Sequence, residues 1–126
     1  MKLRFFNPKK LFDWWSVPHF MFGMVTALAA LAFSLSVPRV FLATLALAIV
    51  WELLEKRYRI SEAPGNGAVD VILPLIAFAI TLVLVDRADP NPDHHMALLI
   101  VATLLYIFVN FFAWRARIER DREFQG

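Results

Sequence analysis

Four apolar runs of 18 to 20 residues dominate this chain: residues 18–37, 38–57, 68–85 and 96–114. As a helix, each is about long enough to cross about 30 Å of hydrocarbon. A chain that must place four such runs has few choices. In lipid every backbone N–H and C=O needs an internal partner, so runs of this length are expected as helices. The expectation is an all-α integral membrane four-helix bundle, a single membrane domain over residues 1–126. Composition agrees, with 60% hydrophobic residues, 19% charged and no cysteine. Soluble domains sit nearer about 45–50% apolar and 25% charged. A soluble catalytic domain, an immunoglobulin-like module and a disulfide scaffold are therefore set aside.

The basic residues sort by side. Lys2, Arg4, Lys9 and Lys10 precede the first run. Lys56, Arg57 and Arg59 follow the second, and Arg115, Arg117, Arg120 and Arg122 follow the fourth. Only Arg39 and Arg87 fall on the other side. Cytoplasmic loops carry such an excess, so both termini are expected in the cytoplasm. Trp14, Trp15, Trp51 and Trp114 fall at the same interface, where an amphipathic ring prefers to sit. The pI of 9.3 is thus read as tails resting on anionic headgroups, with no nucleic-acid partner. The first run has a basic leader and two Ala-Leu-Ala stretches, yet continues past them without a polar region. It is expected to be retained as a helix, not cleaved as a signal peptide.

Turn chemistry divides the runs. Ser36-Val37-Pro38 reads as the end of one helix and the cap of the next, since proline is tolerated in a first turn. Pro64, Gly65 and Gly67 make the inner link over residues 58–67 irregular. Pro90 and Pro92 are expected to keep residues 86–95 out of a helix.

The polar residues inside the runs share a depth. They are His19, Glu52, Glu55, Asp70 and Asn110, with Asn66 just outside and Tyr106 further in. Each continues a stripe at spacings of three and four, which marks one helix face. The stripes are His19, Gly23, Ala27, Ala30 and Ser34; Thr44, Ala48, Glu52 and Glu55; Asn66, Asp70, Pro74, Ala77 and Thr81; and Thr103, Tyr106 and Asn110. Small residues let membrane helices approach, so the four faces are expected to turn inward and meet. Counting from Pro38 at about 1.5 Å per residue, Glu52 lies about 21 Å along its helix. An acidic residue at such depth costs roughly 2.5–3.5 kcal/mol on insertion scales.

Three readings of these residues stay open. The glutamates could sit at a wet helix end, paired with Lys56, Arg57 or Arg59. The cluster could hold the helices together by hydrogen bonds. Or it could bind a headgroup, metal or substrate. Glu52 and Glu55 at i, i+3 could face a metal with His19 and Asp70, as in bundle metal sites, but the repeated Glu-x-x-His of di-iron bundles is missing. Asp86, Asp89, Asp93, His94 and His95 form an outer group of metal-ligating types, in a segment that also reads as a solvated loop. Haem ligation by paired histidines is disfavoured, because His19 and His94–His95 lie near opposite faces. The sequence carries no G-x-S-x-G, H-E-x-x-H or phosphate loop, so no catalytic residue, cofactor or metal is assigned. An ion path needs polar groups across the whole membrane, and the outer halves lack them.

The order of residues resembles the VanZ-like group of small bacterial membrane proteins and related uncharacterised families. It runs from WWSVPHFMFG through WELLEKR to GNGAVD and an apolar helix, over residues 14–85. The resemblance implies a compact helical bundle in a bacterial inner membrane, with His19, Glu52, Glu55, Asn66 and Asp70 as the group's polar positions. One branch of the group is associated with glycopeptide resistance; no general reaction follows. The chain departs from the VanZ pattern by lacking an Asp-rich third helix followed by Asn and Gly, with Pro74 in that stretch.

The expected function is that of a multi-pass inner-membrane protein whose polar cluster binds a lipid headgroup, or which serves as an accessory subunit of a membrane complex. Its partners would be membrane lipids, another membrane protein or a second copy. The alternative is a membrane enzyme acting on a lipid or lipid-linked substrate; ion or proton transport comes third.

Overall fold

The computed structural model describes residues 16–57, 66–88 and 91–125. Four helices follow one another: α1 (Ser16–Ala32), α2 (Val37–Arg57), α3 (Asn66–Ala88) and α4 (Pro92–Gln125). Three of them contain stretches long and apolar enough to cross a membrane, Val37–Glu55, Ala68–Ala88 and Asp93–Arg115.

The polarity of this bundle is inverted relative to a soluble one. Thr44, Glu52, Glu55, Asp70, Thr81 and His95 are buried. Leu42, Leu53, Leu84, Leu104, Phe108 and Phe111 are more than half exposed. In water such a surface would be a severe liability; against lipid tails it costs nothing.

α1 is the centre of the bundle. It packs most closely on α3, then on α4 and α2. The α1–α3 contact follows from small side chains. Gly23, Ala27 and Ala30 on α1 and Pro74 and Ala77 on α3 are all buried. A Cβ placed on Gly23 would overlap the Pro74 carbonyl. One turn earlier on both helices, His19 meets Asp70. Two contacts displaced by four residues in the same sense mean that α1 and α3 run parallel. α2 crosses back antiparallel to α1, where Thr44 Oγ1 lies 2.9 Å from Thr26 Oγ1 and 2.8 Å from the Val40 carbonyl. Phe41 and Phe78 meet edge to face between α2 and α3, with centroids 5.5 Å apart.

The helix boundaries correct the sequence reading at three places. The first helix ends at Ala32, not at residue 37. Its 17 residues cover about 25 Å, short of the hydrocarbon thickness. The stop is a Schellman cap: Leu35 N–H donates to the Ala30 carbonyl at 2.9 Å and Ser34 N–H to Leu31 at 3.4 Å, with Ser34 at φ 52°. The apolar run masked this stop, because Phe33 and Leu35 look like more helix. The second helix begins at Val37 with Pro38 in its first turn, as expected.

The outer connection is shorter than expected, since α3 continues through Ala88 and α4 begins at Pro92. Pro92 opens the helix instead of resisting it, because a first-turn residue needs no N–H partner. Asn91 supplies the cap: its Oδ1 accepts from Asp93 N–H at 3.0 Å, and its carbonyl from His94 and His95 N–H at 3.1 and 3.2 Å. His95 is thereby turned inward, while Asp86, Asp93 and His94 stay exposed. The fourth helix also runs on to Gln125, so its 34 residues extend about 51 Å. Trp14, Trp15, the basic residues before α1, Arg59, Pro64, Gly65 and Asp89 lie outside the described residues.

Candidate functional site

The start of α1, the end of α2, the start of α3 and the second half of α4 share one end of the bundle, and the polar residues gather there. On α2 the spacing Thr44, Ala48, Glu52, Glu55 forms a single buried line. On α3 the line is Asp70, Pro74, Ala77, Thr81, also buried throughout. These two lines bring Glu52, Glu55 and Asp70 together: one oxygen from each lies within 4.8 Å of the others. The three residues are 6%, 2% and 1% exposed. The glutamates are therefore not at a wet helix end, whereas Arg57, at the end of α2, is exposed.

The electrostatics of this arrangement are demanding. Two unit charges 4.8 Å apart repel by about 3.5 kcal/mol at an effective dielectric constant near 20. Both Glu52 carboxylate oxygens are buried without a hydrogen-bond partner. Two neighbours contribute polar contacts to the group. Trp51 Nε1 donates to Glu55 Oε1 at 2.7 Å. His19 Nε2 stands 3.5 Å from Asp70 Oδ2, an ion pair when the imidazole is protonated. Pro74, four residues after Asp70, has no N–H to offer the helical hydrogen bond to the Asp70 carbonyl.

His19 has a second role. It lines a cleft of about 360 Å³ on the side facing away from α3. α1 forms the floor with Pro18, His19 and Phe22. One wall is α2, with Leu47, Ala48, Val50, Trp51 and Leu54; the other is α4, with Tyr106 and Asn110. α2 and α4 barely touch along their length, which is why the space exists. Near the cluster end the gap is bridged by Trp51 and Trp114, whose rings meet edge to face at 6.1 Å. Leu47, Val50 and Leu54 are well exposed, so the cleft opens sideways onto the apolar flank of the bundle.

The six sequence candidates thus separate. Glu52, Glu55 and Asp70 form the carboxylate group between α2 and α3. His19 touches both that group and the cleft. Asn110 belongs to the cleft alone, where its Nδ2 donates to the Tyr106 carbonyl at 2.9 Å. Asn66 is the first residue of α3; its side chain lies outside the described residues. On α4 the stripe of Thr103, Tyr106 and Asn110 is only half-buried, and among the described residues the buried positions are His95, Leu99 and Ala113.

Sequence reasoning missed the cleft, and with it Phe22 and Leu54. It read Trp51 as an interface anchor only. The i, i+4 spacing of Trp51 and Glu55 was the available signal for their hydrogen bond. Comparison of the chain with protein-family models, with curated proteins and with solved structures gives no match.

Proposed function

We propose that this is a multi-pass membrane protein that binds the polar part of a lipid, or of a lipid-linked molecule, in the cleft between α2 and α4. The observation that carries the reading is the form of that cleft. Its rim is apolar and exposed to the side, and its interior ends on His19, Tyr106 and Asn110. Binding sites for amphiphiles need both parts: apolar walls for burial and a few fixed polar groups for orientation. A lipid could enter laterally, lay its chain along Leu47 and Leu54, and present its headgroup to the three polar side chains.

The same proposal sets the cleft in the inner leaflet of a bacterial plasma membrane, with both termini cytoplasmic. The one-sided distribution of lysine and arginine supports that orientation. The VanZ-like order of residues supports the bacterial setting.

Native mass spectrometry of the protein released from nanodiscs tests the reading. Wild-type protein is expected to retain a lipid, and Leu47→Trp, which fills the cleft from its exposed rim, to lose it. Equal retention by both proteins, or none by the wild type, rules the cleft out as a lipid site.

One contact favours a second reading, an enzyme acting on such a lipid. His19 faces the cleft and pairs with Asp70 behind it, the geometry in which a carboxylate orients an imidazole for proton transfer. Conversion of a bound lipid by wild-type protein, lost in His19→Ala while the lipid is still retained, would select this reading over simple binding.

A further inference from the structure

We infer that Glu52, Glu55 and Asp70 form a binding site for one divalent cation. This does not depend on the cleft holding a lipid, because none of the three carboxylates lines the cleft.

The argument begins with Glu52. The residue is only 6% exposed, and neither carboxylate oxygen has a hydrogen-bond partner. Buried polar groups in folded proteins are nearly always satisfied, so such a group calls for an explanation. Glu52 is also directed at its like: an oxygen of Glu55 and one of Asp70 lie within 4.8 Å. A shared proton joins only two of three carboxyl groups. A cation gives all three acceptors one partner and opposes their mutual repulsion at once.

Distances and donor chemistry narrow the ion. Oxygen ligands stand at about 2.0–2.2 Å from a small divalent ion and about 2.3–2.6 Å from calcium. Three ligands spread around one ion are therefore at most about 3.5–3.8 Å apart for a small ion and about 4.0–4.5 Å apart for calcium. The oxygens of this group, within 4.8 Å of one another, reach such spacings by small side-chain rotations. Three carboxylates are hard ligands, which suit Mg²⁺, Ca²⁺ or Mn²⁺. His19, beside Asp70, brings an imidazole within reach and tilts the choice toward Mn²⁺.

The fold holds the ligands on rigid supports. Glu52 and Glu55 are one turn apart on α2. Asp70 is set on α3 one turn before Pro74, and Pro74 is locked against Gly23 of α1. The Trp51 indole fixes Glu55 through its 2.7 Å hydrogen bond, an outer contact of the kind that orients metal ligands.

The test uses full-length protein in nanodiscs, stripped with a chelator and titrated with Mn²⁺. Electron paramagnetic resonance follows the free ion. The expected result is about one Mn²⁺ per chain, with a rise in melting temperature. Affinity should fall at least tenfold in Glu52→Gln and in Asp70→Asn. Asp93→Asn, on the exposed start of α4, should bind as the wild type does. A nitrogen coupling in the bound Mn²⁺ spectrum, lost in His19→Gln, would further support the site. Wild-type protein that binds neither Mn²⁺ nor Ca²⁺ above empty nanodiscs overturns the inference. So does unchanged binding in folded Glu52→Gln. Should that variant not fold, Asp70→Asn and the wild-type titration decide.

Discussion

Gly23 on α1 lies directly against the backbone of Pro74 on α3, one turn beyond the pairing of His19 with Asp70. The first contact makes the second attainable: two parallel helices at this separation bring an imidazole and a carboxylate within 3.5 Å. A glycine in a helix costs about 1 kcal/mol relative to alanine, so Gly23→Ala gains that much from propensity. The added methyl, however, meets a carbonyl group that cannot rotate away. Overpacking of this kind costs about 1–3 kcal/mol, and the clash wins. Gly23→Ala should lower the melting temperature in detergent. A melting temperature equal to or above that of the wild type would show that α1 and α3 are less closely packed than described.

Glu52 leads to a prediction of the opposite sign. An orphaned buried acceptor costs about 1–3 kcal/mol, and its two carboxylate neighbours add repulsion. Methionine is unbranched, apolar and of similar length. In metal-free protein, Glu52→Met should therefore raise the melting temperature while removing cation binding. A clear fall would mean that the glutamate is held by contacts that stabilise the bundle.

Much of this arrangement was legible in the sequence because long apolar runs favour helices. Run length pointed to four helices, though not to where the first one ends, and spacings of three and four gave the buried lines on α2 and α3. Gly23, Ala27 and Ala30 marked an inward face of α1, but not that this face packs on α3. What was hidden depended on geometry between helices. Nothing local to Leu47 or Tyr106 says that α2 and α4 diverge and leave a cleft. Nothing local to His19 says that it reaches Asp70 and the cleft together. The end of α1 was hidden for a different reason. Its cap uses serine where glycine is usual, within a sequence that stays apolar on both sides.

That cap can be improved. Ser34 holds φ at 52°, a left-handed conformation costing an ordinary residue about 1–2 kcal/mol. Glycine avoids the cost, but loses about 0.4–1 kcal/mol through its freer unfolded chain. Ser34→Gly should stabilise the protein by up to about 1 kcal/mol, and Ser34→Val should destabilise it. Reversal of that order in thermal unfolding would contradict the Schellman geometry.

Trp51 touches the cleft, Trp114 and Glu55, and its contacts can be separated. Its ring lines the cleft and meets Trp114, while its N–H bonds to Glu55. Phenylalanine keeps an aromatic face but has no donor. Removing one partner of a buried hydrogen bond costs about 1–3 kcal/mol, against about 0.5–1.5 kcal/mol for an aromatic pair. Trp51→Phe should thus lose stability mainly through the missing N–H. A double-mutant cycle with Glu55→Gln isolates that part, since for residues in contact the double substitution departs from the sum of the two single effects by their coupling energy. A coupling energy near 1 kcal/mol or above is expected in the metal-free protein. Strict additivity of the two substitutions would show that Trp51 acts through its ring alone, and that Glu55 is held in place by other means.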